Sequence, residues 1–176
     1  MMPHPMLVLV RLIHIVVAVC WAGAVVFIAG FLLPTMKAVG PAAGPVMGHL
    51  TQARKLPVYL MAGAIVTALS GVTLFWYDSA GFSSDAWMHS ASGIAFSVGG
   101  TLGIIVAVIG GAVNAPTAKK LGELGATVLA SGGPPSATQA AEMERLQGRL
   151  AGAMKISAVL LVIAASAMAV ARYLPL

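Results

Sequence analysis

The sequence predicts an all-α integral membrane protein, a four-helix bundle with both termini on the outer side of the membrane. Hydrophobic residues make up 59% of the 176-residue chain and charged residues only 9%, with a mean hydropathy of +0.95. Such a composition lies far from that of a soluble globular domain. The apolar residues gather in segments 6–33, 57–76, 87–113 and 150–173, each long enough to cross a bilayer core, which takes about 20 residues as a helix. The basic residues gather between these segments, which sets the orientation.

One membrane domain over residues 1–176 is expected, with a cytoplasmic connection and helical extension at 114–149. A net charge of +5 and a pI near 9.8 would suggest nucleic acid in a soluble protein. Here the lysines and arginines report topology, and no nucleic-acid role is assigned. Cys20 stands alone, which excludes an intramolecular disulfide and a cysteine-based zinc site.

The first segment carries Val17-Ala-Val-Cys20, which has the look of a lipoprotein cleavage site. Val19 is bulky before the cysteine, and the apolar run continues to Leu33 with Arg11 and His14 inside it. A retained span is therefore expected. Gly40-Pro41-Ala-Ala-Gly44-Pro45 then breaks the chain, a short interfacial helix is expected over 46–56, and Pro57 separates or kinks it from the second span.

Within the second span Gly63, Thr67 and Gly71 recur every four residues, and Gly99 and Gly103 repeat that spacing in the third. Small residues so placed let helix backbones approach closely in lipid, within one bundle or between two copies as a homodimer. The other reading is a slot for a flat ligand.

Asn114-Ala-Pro116 ends the third span and Ser131-Gly-Gly-Pro-Pro135 interrupts the following loop. Ser136-Ala-Thr-Gln139 fits a capping box. A helix from there to Tyr173 would be about 55 Å long at the α-helical rise, so its first turns, with Glu142, Glu144, Arg145 and Arg149, should project beyond the hydrocarbon.

The first connection carries Lys37, Arg54 and Lys55, the third Lys119, Lys120, Arg145 and Arg149, and the second, with Asp78 and Asp85, has no basic residue. The positive-inside rule makes the first and third cytoplasmic. The expectation is a multi-pass protein of a bacterial-type cytoplasmic (inner) membrane with periplasmic termini. Trp76, Tyr77, Trp87 and Tyr173 supply the aromatic belt at the outer interface.

Arg11-Leu-Ile-His14 is the chemically informative stretch. A charged or polar group at membrane depth is costly, by about 2.5 to 3.5 kcal/mol for arginine at a helix centre, and so has a partner or a task. Arg11 lies near the outer end and can snorkel; His14 lies deeper. His89 falls at a similar depth at the start of the third span. Two imidazoles on neighbouring helices are suited to axial ligation of haem iron. Arg11 and Arg172 stand where haem propionates would be paired, and Trp21 and Phe96 where the porphyrin would pack. An echo links the halves: His14, Trp21 and Gly23 against His89, Phe96 and Gly99, the pattern of a parallel internal repeat.

Other readings stand beside these. His14 suits an interhelical hydrogen bond, His89 an interfacial position, and His49, beside Arg54 and Lys55, a solvated one. Met1, Met2, His4 and Met6 could form a loose cuprous site, extended by Met88 and Met168 or leaving those two as gap-fillers. No phosphate-cradling loop and no nucleophile with a base is present. The spans hold no acidic residue, which argues against a proton-driven transporter.

The stretch Arg11 to Gly23, then Arg54-Lys-Leu-Pro57, then Ala86-Trp87-Met88-His89 resembles the pattern of HemJ-type protoporphyrinogen oxidases and CopD-type copper-resistance membrane proteins. The resemblance runs from the first span through the third. It implies a compact helical membrane fold, b-type haem, and porphyrin or quinone redox chemistry, with His14 and His89 at the family's histidine positions. The HemJ-type pattern continues Trp-x-His-x-Lys, whereas Ala91 stands two after His89 here. The haem site is carried over and the oxidase activity is not.

The resulting expectation is a haem b protein in transmembrane or quinone-linked electron transfer. Its partners are the lipid bilayer and a quinone or a membrane or periplasmic redox protein. Two imidazoles would fill both axial positions of the iron, which favours electron transfer over chemistry on bound oxygen. A haem-dependent porphyrinogen oxidase and a copper-handling protein are the alternatives.

Overall fold

The computed structural model describes residues 3–175, and every regular element among them is helical. Helix α1 (His4–Phe27) passes through a π-turn at Ile28–Leu32 into α2 (Leu33–Val39), and a 3₁₀ turn leads to α3 (Ala43–Gly48). A second π-turn, His49–Ala53, precedes α4 (Leu56–Asp78), which is followed by the short α5 (Asp85–Met88). Helix α6 (Ala91–Ile109) runs through a third π-turn, Gly110–Asn114, into α7 (Ala115–Ala130), and α8 (Ala137–Ala171) closes the chain. Four rods, His4–Val39, Leu56–Asp78, Ala91–Ala130 and Ala137–Ala171, are long and apolar enough to cross a membrane.

The rods form a four-membered ring in which α1 packs on α4 and α8, and α6 packs on the same two. Helices α1 and α6 therefore stand diagonally opposed. Trp21, Val25, Ile28, Ala64, Val106, Met154 and Leu161 fill the middle. On the outside, Val19, Leu69 and Val108 are each 60% exposed or more, an apolar surface that suits hydrocarbon and would drive association in water.

Pro116, which read as a stop, does not stop the chain, and neither does Pro34. A proline in a regular helix clashes with the carbonyl four residues back and leaves it without a donor. For Pro34 that carbonyl belongs to Gly30, and for Pro116 to Ala112. Both lie inside the π-turns Ile28–Leu32 and Gly110–Asn114. The wider turn absorbs the misfit, and α2 and α7 each begin with their proline in the first turn, where no amide hydrogen is required. The third rod thus extends to Ala130 rather than ending near Asn114.

Beyond the rods' shared level, α7 and α8 form an antiparallel hairpin with Thr117 and Leu146 buried between them. Its return helix starts where the capping box was expected. The Ser136 hydroxyl accepts from the Gln139 amide at 3.3 Å, and the Gln139 side chain accepts from the Ser136 amide at 2.9 Å.

At the end that carries both termini, α6 begins at Ala91, after a break at Ser90. The Ser90 hydroxyl accepts from Gly93 N–H at 3.0 Å and caps α6. Trp87, Met88 and His89 therefore belong to the separate turn of α5 and its end, not to the membrane-length helix.

Candidate functional site

His14 and Trp21 are two turns apart and share the face of α1 that meets α4. Helix α4 receives them with glycines. A Cβ on Gly63 would stand 3.1 Å from Trp21 Cβ, and one on Gly71 would stand 2.9 Å from His14 Cε1. Gly63 and Gly71 are thus a bed for two rings on a neighbouring helix, and close packing occupies these two positions of the small-residue stripe, whereas a Cβ on Gly103 would meet nothing within 4 Å. Gly99 does the same for Met168, whose Cγ would meet its Cβ at 2.7 Å, so Met168 is a gap-filler.

The hydrogen bonds fix the His14 tautomer. Its Nδ1 lies 3.0 Å from the Thr67 carbonyl and 3.1 Å from Ser70 Oγ. The Ser70 hydroxyl donates its hydrogen to the Val66 carbonyl at 2.6 Å, so it offers His14 a lone pair. Both neighbours accept, and Nδ1 must carry the proton. Nε2 is then the lone-pair nitrogen, and no hydrogen bond to it occurs among the described residues.

His89 shows the same arrangement in a more open place. Its Nδ1 lies 2.9 Å from the Asp85 carbonyl, one turn back on α5, and the side chain is exposed. It too presents Nε2. The structure gives His14 its partners on α4 and His89 its partner on α5.

The two arginines have protein partners. Arg11 reaches Asp78 at the end of α4, 3.5 Å from Nη2 to Oδ2. Arg172 caps the end of α8 with its guanidinium 5.9 Å from the Tyr173 ring centre. Phe96 stacks on Trp87 at 6.4 Å, and Trp87 meets Phe75 edge-on at 5.2 Å. Trp21 belongs instead to the central core with Val25 and Ala64, so the two expected ring-packing residues sit in different clusters.

His4 opens α1 and His49 lies in a π-turn; both are exposed. No three His, Cys, Asp or Glu side chains come together as a metal-holding group among the described residues. Met1 and Met2 of the expected cuprous site lie outside those residues.

A feature that periodicity did not disclose lies in the opposite half of the bundle. A cavity of about 130 Å³ runs along the bundle axis, with walls from all four rods, including Trp21, Ile28, Ala64, Val106 and Met154, and with Met47 and Thr51 at the loop end. The Oδ1 atom of Asn114, a residue lining it, is buried without a hydrogen-bond partner. The one available signal was an asparagine within a run of apolar and glycine residues, Gly110-Gly-Ala-Val-Asn114.

Comparison with protein-family models, curated proteins and solved structures gave no match to this chain.

Proposed function

We propose that the chain is a multi-pass protein of a bacterial-type cytoplasmic membrane that binds haem b through His14 and His89 near its outer face and serves electron transfer. The observation that carries this reading is the shared state of the two imidazoles. Each ties Nδ1–H to a backbone carbonyl, His14 to Thr67 at 3.0 Å and His89 to Asp85 at 2.9 Å. That contact is the usual outer-shell support of a ligating histidine, because it fixes the ring and leaves a basic Nε2 for the metal.

Haem, when bound, supplies a one-electron iron couple. The chain supplies the rest. Thr67 and Ser70 orient His14, and Gly71 gives its ring room. Arg11 and Arg172 offer cationic groups for propionates at the termini end, where Asp78 already engages Arg11. The donor is a quinone or another membrane carrier and the acceptor lies at the outer surface, in keeping with basic first and third connections and an acidic second one.

An absorption spectrum of the purified protein in detergent, oxidised and then dithionite-reduced, with a pyridine haemochrome assay, tests the reading. Sharp reduced α and β bands with near-stoichiometric haem b, lost in His14→Ala and His89→Ala, are expected. A featureless spectrum after expression with ample haem supply overturns it.

A further inference from the structure

The cavity at the loop half of the bundle has walls that call for a specific kind of occupant. Its lining residues carry no formal charge, so a charged ligand would lose its hydration without a counter-ion. Of its polar groups, Thr51 donates to the Met47 carbonyl at 2.8 Å and Ser157 to the Ala153 carbonyl at 2.9 Å. Asn114 Oδ1 alone is buried and unpaired among the lining atoms described. It needs a donor. A single water would meet that need and still leave most of the apolar chamber unfilled.

Size narrows the class further. The volume of about 130 Å³ is close to the roughly 150 Å³ of an apolar cavity that takes up benzene. It admits one six-membered ring. The cavity is not fully enclosed, so a tail on the ring need not fit within it. Local backbone agrees: all three π-turns contribute to the wall, through Ile28 and Leu32, through Thr51, and through Gly110, Gly111 and Asn114. Such turns are frequent at functional sites. Gly110 and Gly111 have nothing within 4 Å of a would-be Cβ, so close helix contact does not account for them.

We infer that this cavity binds a neutral, membrane-soluble phenol or hydroquinone, one ring wide, whose hydroxyl donates to Asn114 Oδ1. The site is distinct from the His14 end and needs no haem, so failure of either reading registers in a different measurement.

The test uses the full chain in detergent with ¹³C-methyl methionine, titrated with 4-hexylphenol and, separately, hexylbenzene, which matches it but lacks the hydroxyl. Met47, Met61 and Met154 line the cavity, and Met168 lies apart against Gly99. Saturable ring-current shifts are expected at Met154 and its two neighbours while Met168 stays still. The phenol should bind about tenfold more tightly than hexylbenzene, the effect of one hydrogen bond. Asn114→Leu should erase that preference, and Ala107→Phe, which fills the chamber, should abolish the shifts. Equal binding of the two probes by the unaltered chain overturns the proposal, as do shifts that never saturate or that survive Ala107→Phe. The comparison of probes needs no variant, so it decides the matter even where a variant fails to fold.

Discussion

Gly71 of α4 lies directly beneath the imidazole of His14, so close that a Cβ there would stand 2.9 Å from Cε1. The ring cannot retreat without giving up the Thr67 carbonyl and Ser70 hydroxyl that hold Nδ1. Gly71→Ala therefore forces a choice between helix separation and loss of those bonds. Overpacking of this kind costs about 1 to 3 kcal/mol, and a lower unfolding temperature in detergent is the expected result. Gly103→Ala, where a Cβ meets nothing within 4 Å, should be neutral. Under the haem reading Gly71→Ala should also weaken haem retention while Gly103→Ala should not; equal behaviour of the two variants would show that the His14 bed is not a tight contact.

The π-turn ahead of Pro116 yields a second prediction. A π-turn is one residue more than a regular helix needs, so deleting Gly111 should restore α-helical geometry without rotating α7 against α8. It would also leave Pro116 inside a regular helix, at a cost of about 3 kcal/mol. The deletion alone should lower thermal stability markedly, and adding Pro116→Ala should recover most of the loss. A deletion as stable as the parent chain would mean that the proline does not require the turn.

Those turns also mark where the sequence stopped being legible. The four rods could be read because length and apolarity are properties of whole segments, and the Ser136 box because capping depends on residues three apart. Pro116 misled because a proline reads as a helix stop, while the π-turn that accommodates it depends on the neighbouring rods. His89 sits outside α6 for a similarly local reason, the Ser90 cap. The ties of His14 to α4 and of Arg11 to Asp78 join residues 53 and 67 positions apart, beyond any periodicity. The cavity is a property of all four rods together, which left Asn114 legible only as part of a helix break.

Ser136→Ala removes the hydroxyl that caps α8. The loss of an N-cap serine costs about 1 kcal/mol, and it should fall on the α7–α8 hairpin rather than on the bundle. Amide hydrogen exchange should quicken over the first turns of α8, with protection around Met154 and Ser157 unchanged. Faster exchange throughout the helix would show that the hairpin and the bundle open together.

The Arg11–Asp78 pair is long at 3.5 Å, with side chains 48% and 28% exposed. In water such a pair contributes about 0.2 to 1 kcal/mol. A double-mutant cycle with Arg11→Gln and Asp78→Asn, read by thermal unfolding in detergent, should give a coupling in that range that shrinks with added salt. A larger, salt-insensitive coupling would mean that the pair is shielded from solvent at the end of the rods.

The proposed orientation rests on charge, since Lys119, Lys120, Arg145 and Arg149 crowd one end and Asp78 and Asp85 the other. Cys20 is the only cysteine, so a Cys20→Ala background permits single-site labelling. Ser83 lies in the acidic connection at the termini end and Ser131 at the tip of the α7–α8 hairpin; both are polar turn positions that tolerate substitution. In intact cells a membrane-impermeant maleimide should modify Ser83→Cys and leave Ser131→Cys untouched until the membrane is broken. The reverse pattern would put the termini inside, where His14 and His89 would face the cytoplasm and electrons would have to leave on that side. Labelling of both sites in intact cells would mean that the connections are not separated by a bilayer, and the membrane reading of the four rods would fall.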